Sequence, residues 1–328
     1  MNKRYIFIIV IIYFSLGCSF AQNKNVGDFI ENTTYNTTDI SQPRTWQYKP
    51  DGQDLVCVNG KNRYTRALYG TPEGDRIETS DRPVFVAYKK KNCKNVSFVL
   101  ETKDGRTELD STDFCEARYT AGKRSYVVKD KRWGENATVR ISVLPLAGKQ
   151  GGIWKMECSG FNGKIKITCL VCDIANQKLQ RSGDMGAEKP GSLERAENYA
   201  SLPNTQLAEA SLQEGKTLFF KIENQKLCAG NFDREYKMAE LKRKALAESV
   251  CINTPDLYIN TLGGVLAMAG NGTWDGETFR HGAVAWRIPL PGWRGAYMGD
   301  FLGWSERAKT HFCAYAESQV TDVPCTID

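Results

Sequence analysis

Lys164-Ile165-Lys166-Ile167-Thr168-Cys169-Leu170-Val171-Cys172-Asp173-Ile174 is an alternating apolar run, which reads as a β-strand. Within it Cys169-Leu170-Val171-Cys172 has CxxC spacing. A redox pair needs a helix N-terminus to lower the thiol pKa, so on a strand these cysteines read as structural. Working outward, short runs rich in Val, Ile, Phe and Tyr recur from Leu55 to about Glu223: Leu55 to Val58, Pro83 to Tyr88, Ser97 to Glu101, Ser125 to Val128, Ala137 to Leu144, Gly152 to Cys158 and Thr217 to Ile222. Turn signals such as Asp104-Gly105, Gly134-Glu135-Asn136 and Asn162-Gly163 separate them. Many strands at this spacing, with no long helix between, predict a mainly β chain folded as an antiparallel β-sandwich over residues 46–230. Gln180 to Gln213 breaks the pattern: it is polar, and Leu207, Ala208 and Leu212 give at most one turn of helical period. It is expected to be a long excursion on the sheet.

At Asp233 the period changes. Tyr236, Met238, Leu241, Ala245, Leu246 and Val250 recur among Lys, Arg and Glu behind an acidic first turn, which predicts an amphipathic linker helix within residues 231–252. Thr254-Pro255-Asp256 caps a second helix through Leu257, Ile259, Leu262, Val265, Leu266 and Met268 to a glycine stop at Gly270-Asn271-Gly272. That helix is apolar nearly all round, so it is expected to be buried. A third helix is expected from about Gly295 to Glu317.

The N-terminus sets the compartment. Met1-Asn2-Lys3-Arg4 is basic, and Ile6 to Leu16 is an almost unbroken apolar run ending at Gly17 and Cys18. A bilayer anchor takes about 20 apolar residues, and no second such stretch follows, so no retained transmembrane helix is expected. Residues 1–21 read as a cleavable signal peptide, with Ser19-Phe20-Ala21 as the small-x-small site before Gln22. Ser15-Leu16-Gly17-Cys18 offers a looser lipoprotein site at Cys18. The protein is thus expected in the periplasm or at the cell surface of a Gram-negative bacterium. Residues 22–45 form a polar leader, and the remainder is long enough for one large domain or two.

A formal charge of +6 is spread among balanced acids with no basic tail, which argues against nucleic acid as a partner. The chain has eleven cysteines, one in the signal. Their irregular spacing, in a chain large enough to fold without staples, predicts mostly buried apolar thiols with at most one or two bridges.

Trp274 to His311 is where the composition becomes unusual. Trp274, Trp286, Trp293 and Trp304 are four of the seven tryptophans, and His281 and His311 are both of the histidines. Asp275, Arg280, Arg287, Arg294, Asp300, Glu306 and Arg307 accompany them. Flat amphipathic rings mixed with charged hydrogen-bonders suit a sugar: a pyranose offers a C–H face for stacking and a rim of hydroxyls for Arg and carboxylates. On a continuous third helix, Asp300, Trp304, Arg307 and His311 share one stripe, beside an apolar stripe of Phe301, Ala308 and Phe312. The plainer reading of that stripe is a solvated face with an Asp to Arg ion pair. Gly292-Trp293-Arg294-Gly295-Ala296-Tyr297 puts a ring and a guanidinium on a turn ahead of it. The substrate-binding candidates are therefore Trp274, Arg280, His281, Trp293, Arg294, Tyr297, Trp304 and Arg307. Asp275 and Asp300 are the candidate catalytic carboxylates, although holding substrate suits each better, and His281 reads equally as a histidine hydrogen-bonded near a helix end. Two histidines exclude a His-rich metal site, and no zinc spacing occurs. Gly270-Asn271-Gly272 follows a helix instead of a strand and fails as a nucleotide loop. Asp104, Glu108, Asp110 and Asp113 lack the spacing of a calcium loop. No cofactor is expected.

Several runs carry a resemblance. Asn260-Thr261-Leu262-Gly263-Gly264-Val265, Gly272-Thr273-Trp274-Asp275-Gly276, Arg280-His281-Gly282-Ala283 and Gly292 to Tyr297 with Asp300 to Arg307 resemble exported bacterial proteins of the six-hairpin glycosidase type. Asn59-Gly60-Lys61-Asn62-Arg63-Tyr64 and Arg66-Ala67-Leu68-Tyr69-Gly70 are similar to the sandwich of that family. The resemblance implies a β-supersandwich, a linker helix and an (α/α)6 barrel whose cleft holds polysaccharide. Only the first helices of such a barrel fit in residues 253–328, and in related barrels the proton donor comes from a later helix. The resemblance thus implies the N-terminal part of a glycoside hydrolase-like protein, truncated early in its barrel and inactive alone. A non-catalytic carbohydrate-binding or scaffolding sandwich is the alternative, and an exported thiol protein using Cys169 and Cys172 is a third.

Overall fold

The computed structural model describes residues 35–36, 43–44, 47–71, 75–89, 92–179, 191–280 and 293–319. The expected signal peptide and its cleavage sites lie outside them. The chain divides into two compact units, Met1–Thr45 and Trp46–Asp328. In the first, β1 (Tyr35–Asn36) pairs antiparallel with β2 (Pro43–Arg44).

Period-two alternation in the second unit builds two antiparallel sheets. One has eight strands, in the order β17 (Lys226–Gly230), β16 (Leu218–Glu223), β13 (Gly151–Ser159), β12 (Thr138–Pro145), β11 (Lys123–Lys129), β10 (Phe114–Thr120), β4 (Asp54–Val58) and β3 (Lys49–Asp51). The other has seven: β15 (Gln206–Leu212), β14 (Ile165–Asp173), β8 (Asn92–Thr102), β7 (Phe85–Lys89), β6 (Arg76–Thr79) and β5 (Arg66–Tyr69), with β9 (Gly105–Glu108) folded back on β8. The fold is thus mainly β, a sandwich followed by helices. Rings from both sheets meet in its core: Phe85 and Phe98 from one, Tyr126, Trp154 and Phe220 from the other, with centroids 5.5–6.2 Å apart and mostly edge-on or tilted. Such ring pairs add specificity to a core that apolar area alone would hold together.

Burial on β14 settles the CxxC. Residues i and i+3 of a strand point to opposite faces. Cys169 lies in the core between the sheets, whereas Cys172 is buried on the other side of its strand. Burial raises both thiols, that of Cys172 to about 11, so neither has the low-pKa thiolate that redox chemistry needs.

Three expectations are corrected. The stretch Gln180 to Gln213 is not wholly an excursion, because Gln206–Leu212 is strand β15 at the sheet edge. Its inward positions are Ala208, Ala210 and Leu212, and two alanines make too faint an alternation to stand out. The second helix is α2 (Leu257–Asn260) followed by α3 (Leu262–Thr273), capped by Asp256, whose Oδ1 accepts from the N–H groups of Tyr258 and Ile259 at 2.8 and 3.3 Å. It is not buried all round: Leu257, Ile259, Leu262 and Leu266 are exposed, and the packed side is Gly263, Ala267, Met268, Gly270 and Gly272. Glycines bring backbones close, and a Cβ at Gly272 would run into the Tyr69 ring, so the segment read as a glycine stop is the helix's packing face. The third helix is two, α4 (Trp293–Phe301) and α5 (Ser305–Glu317). Gly303 at φ +79° ends α4, and the Trp304 N–H reaches back to the Gly299 carbonyl at 2.7 Å, a left-handed glycine stop.

The linker helix α1 (Asp233–Ala247) lies on the eight-stranded sheet through Ala239, Phe232 and Tyr236, with Ser142 and Tyr236 hydroxyls 2.7 Å apart. Its apolar Met238 and Leu241 are exposed instead. The turn between β10 and β11 enters between α1 and α3. Gly122 there has φ +79°, and a Cβ on it would strike Met268. Arg243 of α1 donates to the Ala121 carbonyl at 2.9 Å and is held by Glu240.

Two measurements check this account. Trp154→Ala, at a site with no exposure, is expected to lower the unfolding free energy by about 3–5 kcal/mol in a urea titration. Rapid alkylation of the native protein is expected at exposed Cys251 and Cys313 and absent at Cys57, Cys93, Cys115, Cys158, Cys169 and Cys172; mass spectrometry of the labelled peptides reads the difference.

Candidate functional site

Phe279 is the hub of the helical segment. Trp274 and Phe279 pair as an isolated bridge, closing a tight turn that Asp275 ties together. Asp275 Oδ1 accepts from the N–H groups of Thr278 at 2.6 Å and Glu277 at 3.0 Å, and Oδ2 pairs with Arg280. Burial pushes the Asp275 carboxyl up, but those N–H donors and the guanidinium outweigh it and hold the pKa below the ordinary value. The Phe279 ring packs 4.8 Å from Trp274 and 5.9 Å from His311. It fills a groove on α4 that exists because Gly295 and Gly299, one turn apart, have no side chains.

His311 on α5 completes the hub. Its Nδ1 accepts the Phe279 N–H at 3.0 Å, and its ring lies 4.7 Å from Tyr315. An accepting nitrogen carries no proton, so the ring is held neutral. Burial lowers its pKa below the ordinary 6.5, with Asp275 opposing and Arg280 adding to the shift.

Arg307, one turn before His311, lies over two indole rings: 5.5 Å from the centroid of Trp274 and 4.7 Å from that of Trp304. Its Nη1 donates to Asn271 Oδ1 at 3.0 Å. Burial lowers its pKa. Trp304, partly exposed, sits where α4 ends and α5 begins.

The sequence-predicted residues divide accordingly. Trp274, Asp275, Arg280, Trp304 and Arg307 gather in one place, but Trp274 is buried, 8 % exposed, and supports its neighbours as core. Asp300 and Tyr297 are exposed on α4, and Asp300 accepts from the Ser305 hydroxyl at 2.8 Å. The break at Gly303 means that Asp300 does not share a helix with Trp304, Arg307 and His311, so the continuous stripe is corrected. Asp275 and Asp300 occupy unlike settings, one enclosed by N–H donors and one at the surface. Trp293 and Arg294 begin α4, but their side chains lie outside the described residues, as does the whole of His281. Asn271 was missed because it reads as part of a glycine stop; its position four residues from Ala267, on the packed side of α3, is the signal that locates it. A small, partly open cleft beside it, lined by Tyr69, Arg243, Met268 and Asn271, is about 40 Å³. That holds a water molecule rather than a sugar.

Among the described residues no cluster of three or more His, Cys, Asp or Glu is placed to hold a metal. Asp110 pairs with Arg63 at 2.9 Å, Glu108 with Arg195 at 3.1 Å, and Asp113 accepts the Lys131 N–H, which occupies the acidic loop. No described helix is long and apolar enough to cross a membrane.

A mainly β sandwich carrying a short helical segment with an aromatic and arginine site is the class of protein defined here. Residues 94–242, from β8 into α1, match a family described as "Domain of unknown function (DUF4450)". No curated protein matches the chain.

The His311 pKa is lower folded than unfolded, so its contribution to stability is present above about pH 6.5 and is lost as pH falls below that toward the folded value. Thermal unfolding between pH 5 and 7.5 is expected to show a midpoint that drops on the acid side, and His311→Asn, which keeps an acceptor but does not titrate, is expected to flatten that dependence.

Proposed function

We propose that residues 46–328 belong to an exported, glycoside hydrolase-like protein for complex polysaccharide, and that they bind saccharide with little or no hydrolysis of their own. In this reading residues 46–230 are the supersandwich, 231–252 the linker and 253–328 the opening helices of an (α/α)6 barrel. The single observation that carries it is the convergence of Trp304, Arg307 and Asn271: a part-exposed indole for a C–H face, beside guanidinium and amide groups for hydroxyls. The resemblance in residues 260–311 supports the same class. Exposed Leu257, Ile259, Leu262, Leu266, Phe301 and Phe312 suit helices that pack on further helices.

Weak or absent hydrolysis follows from the carboxylates. A glycosidic general acid keeps its proton near neutral pH because its surroundings disfavour the anion. Asp275 has the opposite surroundings, with two backbone N–H donors and a guanidinium favouring the anion.

Calorimetric titration with plant and bacterial oligosaccharides is expected to give binding that Trp304→Ala weakens by about tenfold, a loss of about 1.4 kcal/mol. Reducing-sugar release from the same substrates is expected to stay at background. Binding unchanged by Trp304→Ala, or ordinary turnover, counts against the proposal.

A further inference from the structure

We infer that Arg307 makes this surface selective for acidic saccharides, those bearing a carboxylate or sulfate, a conclusion that rests on the saccharide reading above. The observation is a charge without a counter-charge. Arg63, Arg118, Arg124, Arg243 and Arg280 each face a carboxylate within ion-pair distance. Arg307 is partly buried between two indoles and, among the described residues, has no carboxylate within 4.0 Å and one neutral acceptor, Asn271 Oδ1.

A guanidinium has five N–H donors in a rigid fork. Asn271 occupies one, and no carboxylate among the described residues takes the others, so the fork retains donors for a two-oxygen acceptor. Keeping a cation partly out of water without a counter-charge is costly, and a ligand anion offsets that cost. The nearby acids do not supply it. Asp300 accepts from the Ser305 hydroxyl, and Glu306 is exposed to solvent. A neutral sugar could stack on Trp304, but it would leave the charge as it stands. A uronate or sulfated sugar would stack and neutralise together.

The test uses the full chain and matched sets of neutral, uronate-bearing and sulfated oligosaccharides on a glycan array, with calorimetry on the strongest pairs. Acidic glycans are expected to bind about tenfold tighter than their neutral counterparts, with an advantage that shrinks as salt is raised. Arg307→Gln is expected to erase the advantage, so that acidic and neutral glycans bind alike through Trp304, with a native circular dichroism spectrum showing that the variant is folded; Arg307→Lys is expected to keep part of it. Equal binding of acidic and neutral glycans, or a preference unmoved by Arg307→Gln, overturns the charge inference and leaves the saccharide reading standing. Binding of no glycan overturns both. Inorganic sulfate competing as well as a sulfated glycan also overturns it, by making the site one for free anions.

Discussion

The tip of one hairpin is wedged between the helices and helps fix them to the sandwich. Ala121 and Gly122 turn between β10 and β11 and enter the space between α1 and α3, where Arg243 takes the Ala121 carbonyl and Met268 lies against the place a Gly122 side chain would occupy. Because Gly122 adopts φ +79°, a conformation that other residues reach only with strain, sequence and geometry agree on a glycine. From this clamp the rest of the helical segment follows. Helix α3 is held by its glycine side, so its larger apolar residues face outward and Asn271 comes to rest beside Arg307. The site's position is therefore a consequence of backbone contact more than of side-chain burial.

Inside the helical segment, one backbone hydrogen bond joins turn and helix. The Phe279 N–H reaches His311, and Phe279 itself occupies the groove left by Gly295 and Gly299. Asp275 belongs to this architecture: its oxygens are taken by two backbone N–H groups and a guanidinium. A residue used this way stiffens the turn under Trp274 and has no proton to give. The proposed saccharide surface thus has a firm base: buried Trp274 lies against Arg307, which lies over Trp304.

Much of the sandwich was legible in the sequence because core strands of this kind repeat large apolar residues at every second position. The runs containing Phe98, Tyr126, Ile141, Trp154, Ile167 and Phe220 all became strands facing one core. Strands with small inward positions, or with few of them, were not legible. β15 turns Ala208 and Ala210 inward, and β6 sends only Ile77 into the core while Arg76 and Glu78 pair, buried, on its other face. The helices were found, but their buried sides were misjudged, since hydrophobic period marks large side chains and these contacts use Gly and Ala. In the site, residue types pointed to Trp274, Asp275, Arg280, Trp304 and Arg307 as neighbours, which the fold brings together. Helical spacing misassigned Asp300, because Gly303 ends one helix and starts another direction. The enclosure of Asp275 was illegible for a different reason: it depends on a turn geometry that no spacing rule encodes.

The most direct measurement of the central claim is a crystal structure of the protein grown with a uronate-containing oligosaccharide. The account predicts a sugar ring stacked on Trp304 with its carboxylate in bidentate contact with Arg307. A saccharide found on the sandwich strands, with Trp304 and Arg307 contacting none of it, would contradict the account.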